Sequence, residues 1–279
     1  MNYQSSYQIS SVAGNVAGEI DRLKAQVELF WAKEIKHYIE FGLRDGMQIA
    51  ELGSGPGFVS EKILEKFPAA YVTAVEIDPL LVNYAKNYLA QKKLDNVKVI
   101  QGSIMETGLP DNSFDFAIIR LVLEHLPDPV NAVREVFRIL KPGGKAVFID
   151  NDFEMHIMTC PEVRELRELY DAYCQARYAE SGNPKIGREL PVILKQGGFS
   201  KIDFEIISAH SGIVGDEMFF KSEGIGIPSQ LVRDGYLSSK VLGKVSLEWR
   251  RMLKSESHSI MRQLYMAAGE KLPGRGEQD

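Results

Sequence analysis

Residues 49–58 read IAELGSGPGF, an apolar run that ends in an acid and then sets Gly53, Gly55 and Gly57 at alternate positions. Glycines so spaced let the chain take positive φ and let a ligand approach the backbone, and a helix that follows offers free N–H groups. Glu51 stands just before the loop, where its carboxylate repels a pyrophosphate but suits a ligand bearing a positive amine or sulfonium. Glu76 closes the next apolar run, YVTAVEI, and an acid at that point can hold ribose hydroxyls.

These residues must be held by a frame, and the chain around them supplies one. MQIAEL reads as a buried strand and SEKILEKF carries Ile63, Leu64 and Phe67 at helical spacing before the strand AYVTAVEI. Asp78 and Pro79 open a helix, the acid as N-cap and the proline at the first helical position, where its missing N–H costs nothing. Strands VKVI and FDFAIIRL follow, then a helix opened by Asp128 and Pro129 and running to Leu140, the turn KPGG, and the strand KAVFID. Strands alternating with helices imply parallel βαβ units in a doubly wound sheet. Ligands bind such sheets beyond the carboxyl ends of the strands, where strand order reverses, and the glycine loop leaves the first strand at that edge. A dinucleotide site wants GxGxxG, whereas this loop reads GxGxG with an acid beside it. S-adenosylmethionine is favoured over NAD.

Between Glu19 and Phe41 the residues Ile20, Leu23, Val27, Phe30, Trp31, Ile35 and Tyr38 share one helical face, giving an amphipathic helix that must dock on its own sheet or on a second subunit. Residues 161–179 are expected as a helix with Val163, Leu166, Tyr170 and Tyr173 on one side, followed by the helix RELPVILKQ and the strand KIDFEIIS. A long segment, 212–260, precedes a last strand, RQLYMAAGE. The expected organisation is an N-terminal lid and amphipathic helix over 1–45, a cofactor-binding core over 46–211 with a helical insertion at about 155–185, and a cap insertion with the last strand over 212–279. The expected fold is α/β, a doubly wound, mostly parallel seven-stranded sheet with helical N-terminal and C-terminal caps.

Composition narrows the function classes. The 279 residues are 44% apolar and 25% charged, with 13 Phe, 11 Tyr and 2 Trp, as in an ordinary globular protein with a substantial core. A net charge of −5 gives no mean field for holding a polyanion and disfavours a nucleic-acid partner. No stretch approaches the roughly 18 apolar residues of a membrane span. A cytoplasmic protein with a small-molecule substrate is expected, and a homodimer is left open by the amphipathic helix. Only Cys160 and Cys174 are present, read as reduced structural thiols, and no metal site is expected.

AELGSGPG, AVEIDP, QGSIMETGLPDNSFDFAIIRLVLEHLPDP and RILKPGG resemble successive motifs of the class I S-adenosylmethionine-dependent methyltransferases. The resemblance covers about residues 46–150. The N-terminal YQIS…EIDRL, RLVLEHLPDP and GRELPVILKQGGF are similar to a group of bacterial enzymes that mostly methylate small molecules. It implies that Glu51, Gly53, Ser54, Gly55 and Gly57 lie along the methionine part of the cofactor. Glu76 would hold the ribose, with Asp78 beside it, and Ile77 would pack on adenine. Ser103, Ile104 and Met105 would neighbour the adenine, although the family often has Asp where this chain has Ser103. Arg120 and Leu121 would pass the methionine moiety, and Arg22 would fold back on the cofactor carboxylate unless it is a surface residue of its helix.

The cofactor is already activated, so the protein mainly holds an acceptor in line with the methyl group and excludes water. A base is needed only for an acceptor that is protonated at working pH. Enzymes that methylate nucleic-acid and protein amides usually show Asn or Asp, Pro, Pro and an aromatic residue after the fourth strand; Arg120, Leu121, Val122 and Leu123 stand there instead. His125 and Asp152 are the candidate catalytic residues, each with a structural alternative. Asp150, Asn151, Asp152, His156, Arg188, Tyr3 and Tyr7 are the candidate substrate contacts, the two tyrosines as part of a lid. The function expected is methyl transfer to an oxygen or nitrogen, with carbon a further option, of a small metabolite. A nicotinamide-dependent oxidoreductase and a non-catalytic cofactor-binding scaffold are the alternatives.

Overall fold

The apolar, β-branched runs form the strands of a parallel sheet: β1 (Gln48–Leu52), β2 (Tyr71–Glu76), β3 (Val97–Gln101), β4 (Phe114–Arg120) and β5 (Leu140–Asp150), ordered β3-β2-β1-β4-β5. The structure, a computed structural model, describes residue 9, residues 16–223 and residues 226–273. The helices α1 (Val16–Glu40), α2 (Phe58–Lys66), α3 (Pro79–Gln91) and α4 (Pro129–Ile139) accompany these strands. The chain winds outward from β1 to β3 and returns to β4 on the other side of β1, so strand order reverses between β1 and β4 and a crevice opens there. Asp78 caps α3 by accepting from the N–H groups of Leu80 (2.8 Å) and Leu81 (3.3 Å), and Asp128 caps α4 by accepting from Asn131 (3.0 Å).

Beyond β5 the sheet changes direction. The long strand β8 (Ser259–Glu270) runs antiparallel to β5, to β6 (Ile157–Cys160) and to β7 (Ser200–His210). Among the described residues the sheet has eight strands rather than the expected seven. The additional one, β6, lies where a helical insertion was expected. It exists because β8 continues past its pairing with Asp150 and leaves Arg262–Ser259 to pair with Ile157–Cys160, a tertiary cause with no local signature. The expected KPGG turn becomes a bulge inside β5: Leu140 pairs with Phe114 and Lys145 with Phe116, leaving Lys141–Gly144 opposite Asp115. The helix expected from residue 161 begins later, as α5 (Leu166–Ala179), and α6 (Leu190–Gln196) follows. The expected cap segment is helical, as α7 (Ser211–Val214), α8 (Asp216–Glu223), α9 (Gly226–Arg233) and α10 (Ser239–Leu253).

Alternation along β4 divides the core into two layers, as the strand period demands. Phe116 and Ile118 pack with Phe30, Tyr38 and Ile49 under α1, while Ala117 and Ile119 pack with Val133, Val136 and Leu194 under α4 and α6. Phe30 and Tyr38 are fully buried, so α1 packs its apolar stripe on its own sheet. Cys160 and Cys174 are free thiols.

Candidate functional site

A cavity of about 420 Å³ opens over the carboxyl ends of β1, β2, β4 and β5, walled by α1 and α5 and covered by α8 and α9. It falls in the size range of small-ligand sites, roughly 300–1,000 Å³. One end is the glycine loop. The N–H groups of Gly53 and Ser54 donate to the Val75 carbonyl (2.8 and 3.1 Å), which folds the loop against β2. Gly53 has φ +74, and a Cβ there would fall on Val122 Cγ2, so backbone angle and space both exclude a side chain. Gly55 has φ +54 and nothing within 4 Å of a Cβ position, so it faces open cavity. Gly57 does not line the cavity; it heads α2 with φ +85, and a Cβ would stand 2.9 Å from Leu89 Cδ1.

Glu76 is locked in place by two backbone donors, Asp78 N–H to Oε1 (2.9 Å) and Gly55 N–H to Oε2 (2.8 Å). Each carboxylate oxygen keeps a second acceptor position for a ligand hydroxyl. Burial pushes its pKa up, against those hydrogen bonds. Glu51 is buried, and its Oε2 accepts from Ser60 Oγ. Burial carries its pKa to about 7 although Ser60 and Arg120 pull the other way. A carboxyl held that close to neutrality gains charge when a cation arrives.

Leu121 leaves β4 with φ +58, held by its N–H to the Ile149 carbonyl at 2.7 Å. Positive φ is rare for such a side chain and is found where surrounding structure enforces it, often at functional sites. Arg120 lines the wall, but its guanidinium is committed to α1, with Nε donating to both Glu34 oxygens and Nη2 to the Gln26 carbonyl at 2.9 Å. Arg22 also lines the cavity and pairs with Glu19 at 2.6 Å. Ile77 lines the cavity beside Glu76. Ser103, Ile104, Met105 and Asp78 do not: Ile104 and Met105 are buried in the apolar layer with Val75, Ser103 Oγ accepts from Met105 N–H (3.2 Å), and Asp78 is spent on capping and on Ile9 N–H (3.1 Å).

The opposite end is aromatic and charged. Phe153 lies 4.1 Å from the Tyr173 ring and 4.4 Å from His156, and Tyr170 stands edge-on to His156 at 5.2 Å. Glu223 ties α8 to this cluster: its Oε2 lies 3.0 Å from His156 Nε2 and its Oε1 lies 2.8 Å from Nη1 of the buried Arg262. Burial raises the Glu223 pKa, but Arg262 and His156 outweigh it and hold the carboxyl at about 2. Arg177 Nη2 donates to Tyr173 Oη at 2.9 Å. His125 lines the cavity, with its pKa pushed well below the usual range by burial and by Arg177 and Arg22, so its ring is neutral at physiological pH.

Three of the expected substrate contacts lie outside the cavity. Asp152 is 1% exposed and does not line the cavity; its carboxylate is bound by Arg188, with Arg188 Nη2 at 2.8 Å from Oδ1. Arg188 is outside the cavity for the same reason, shared between Asp152 and Glu154. Asp150 faces the Glu124 and Asn151 N–H groups (3.3 and 3.0 Å), which fix the turn after β5 rather than a ligand. Asn151 and His156 do line the cavity. Tyr3 and Tyr7 lie outside the described residues.

Sequence reading passed over Glu124, Phe153, Arg177, Glu223 and Arg262, all of which line the cavity, and placed Tyr170 and Tyr173 on one side of a helix expected to cover the substrate without naming them as contacts. The signals were small: Arg177 is one helical turn after Tyr173, and Arg262 is a charge at the head of the expected strand, just before the mostly apolar run Leu264–Gly269. Ser54 Oγ, Glu124 Oε2, Asn151 Oδ1 and His156 Nδ1 are buried without a protein partner. Buried polar atoms are normally paired, and four unpaired ones in residues that line one cavity point to a site built for a ligand. Among the described residues no group of His, Cys, Asp and Glu could hold a metal ion, and no helix is long and apolar enough to cross a membrane.

Residues 50–148 match the family model described as a methyltransferase domain. A demethylmenaquinone methyltransferase of Listeria monocytogenes is 25% identical over 171 residues, covering 60% of this chain and 68% of that protein. In fold, the chain is similar to a SAM-dependent methyltransferase from Aquifex aeolicus, with a TM-score of 0.55 and 18% identity over 91% of this chain and 97% of that one. It is also similar to Haemonchus contortus phosphoethanolamine N-methyltransferase 2 in complex with S-adenosyl-L-methionine, with a TM-score of 0.60 and 16% identity over 95% of this chain and 59% of that one. Residues 50–148 thus form a methyltransferase domain, which agrees with the GxGxG loop and Glu51 in favouring S-adenosylmethionine-dependent methyl transfer over nicotinamide chemistry.

Proposed function

We propose that S-adenosylmethionine lies along the glycine loop, with its ribose on Glu76 and its amino-acid end between Glu51 and the backbone at Leu121, and that the acceptor occupies the end walled by Phe153, His156, Tyr170 and Tyr173. The observation that carries this is the Gly55–Glu76 hydrogen bond, which aims a buried carboxylate into the cavity while leaving it acceptor capacity. When bound, the cofactor supplies an activated methyl group. The chain's own residues then bind, orient and exclude water. Gly53 and Gly55 bring the backbone close, and ionised Glu51 supplies an anion for the ligand's ammonium. Arg120 keeps α1 on β4, and α8 is held over the acceptor end by Glu223.

The cavity favours a compact acceptor, since it must hold both ligands. Its aromatic wall suits a ring, as in the acceptor for which the Listeria relative is named, or a cation against ring faces. Oxygen and nitrogen are the acceptor atoms supported by Glu124, Asn151 and His156, whose unpartnered atoms can hold an O–H or N–H. The test is a metabolite screen with methyl-labelled cofactor. Label should appear in a small hydroxyl or amine compound, and at sub-saturating cofactor Glu76→Ala should transfer it about ten-fold more slowly; a wild-type rate in a folded Glu76→Ala enzyme under those conditions contradicts the placement.

A further inference from the structure

Glu124 sits in the single turn (Leu123–His125) that leaves β4, in the wall between the glycine loop and the aromatic end. It is 3% exposed. Asn151 Nδ2 donates to Oε1 at 3.0 Å, which ties the ends of β4 and β5 together and fixes the carboxylate plane, while Oε2 has no protein partner. A buried carboxylate oxygen left bare costs free energy unless a ligand donates to it. Its other neighbours are Arg177 on α5, Arg22 on α1, Arg262 on β8, Asp150 below it and His125 beside it. Burial raises the Glu124 pKa.

We propose that Glu124 is the group that meets the methyl acceptor, its Oε2 accepting the acceptor's O–H or N–H and taking that proton as methyl transfer proceeds. The inference rests on the proposed placement of the cofactor. The acceptor's proton passes to Oε2, and the carboxylate becomes a carboxylic acid. The acceptor's electron pair forms the bond to the methyl carbon as the carbon–sulfur bond breaks, its pair remaining on sulfur. This assigns the substrate to compounds with a protonated hydroxyl or amine, and gives the turn that leaves β4 a part in the chemistry.

The test needs no substrate. Sinefungin replaces the methylated sulfonium of the cofactor by a carbon bearing an ammonium, which projects toward the place an acceptor would occupy; S-adenosylhomocysteine has nothing there. In calorimetry the wild-type protein should bind sinefungin at least about ten-fold more tightly than S-adenosylhomocysteine, as for a charge-assisted hydrogen bond. Glu124→Gln, which keeps an oxygen for Asn151, should erase most of that ratio and leave S-adenosylhomocysteine affinity unchanged. Equal binding of the two by wild-type protein overturns the inference even if the variant does not fold, and an unchanged ratio in folded Glu124→Gln overturns it as well. Failure of both ligands to bind wild-type protein would instead sink the cofactor placement beneath it.

Discussion

Arg120, the last residue of β4, directs its Nε to both carboxylate oxygens of Glu34 on α1, at 3.0 and 3.1 Å. Tyr38 Oη adds a hydrogen bond to Glu34 Oε2 at 3.2 Å. The Glu34 side chain is fully buried and that of Arg120 is 8% exposed. The pair fixes the amphipathic helix over the sheet, so that Gln26, Arg22 and Glu19 form one cavity wall.

Removing one partner strands the other charge. Arg120→Met should lower stability by about 3–5 kcal/mol, whereas Glu34→Met with Arg120→Met should recover most of the loss. Urea unfolding of the two single variants and the double variant checks this. Additive losses would show that the two residues act independently.

Much of this architecture was legible. The helix starts at Asp78 and Asp128 and the strands β1 to β5 each had a local cause: an acid before proline, or an apolar run of one strand's length. Glu51, Gly55 and Glu76 could be brought to one cavity from sequence because they stand at the ends of adjacent strands, which the βαβ pattern sets. The aromatic end of the cavity was legible only as a cover formed by the helix at 161–179 and the segment 212–260; which side chains line it was not, since α5, α8 and β8 are far apart in the chain. Asp152 and Arg188 misled because a charge at a strand end or helix start is equally satisfied by an ion pair, and each satisfies the other. Tyr170 and Tyr173 were put on the correct helical side, but periodicity cannot distinguish a core from a cavity wall. Arg262 can be understood only once Glu223 is seen across from it.

Gly53 is constrained twice. Gly53→Ala should destabilise the protein by about 1–2 kcal/mol from the left-handed backbone alone, with about 1–3 kcal/mol more from overlap with Val122. Gly53→Ala combined with Val122→Ala should relieve the overlap and leave the backbone cost. Chemical denaturation of both variants measures the difference, and a Gly53→Ala protein as stable as wild type would refute the strained geometry.

Glu51 makes stability and cofactor binding respond to pH in opposite directions. Its folded pKa of about 7 lies above the ordinary value of 4.5, so the ligand-free protein binds the proton more tightly than the unfolded chain does. That contribution is fully present below pH 4.5 and is lost as pH rises through about 7. Ligand-free wild type should therefore lose stability relative to Glu51→Gln between pH 5 and 7.5, on the order of a few kcal/mol. A ligand ammonium favours the ionised carboxylate, so cofactor affinity of wild type should rise over the same range, and that of Glu51→Gln should be lower and flatter. Parallel pH profiles for the two proteins would remove Glu51 from the cofactor site.

The account rests on Glu76 as the ribose anchor, and calorimetric titration of S-adenosylmethionine into wild-type and Glu76→Ala protein tests it most directly. One site per chain is expected in wild type, and the variant should bind about ten-fold or more weakly, the loss of hydrogen bonds to a charged group. Full affinity in a Glu76→Ala protein with an unchanged unfolding midpoint would contradict it.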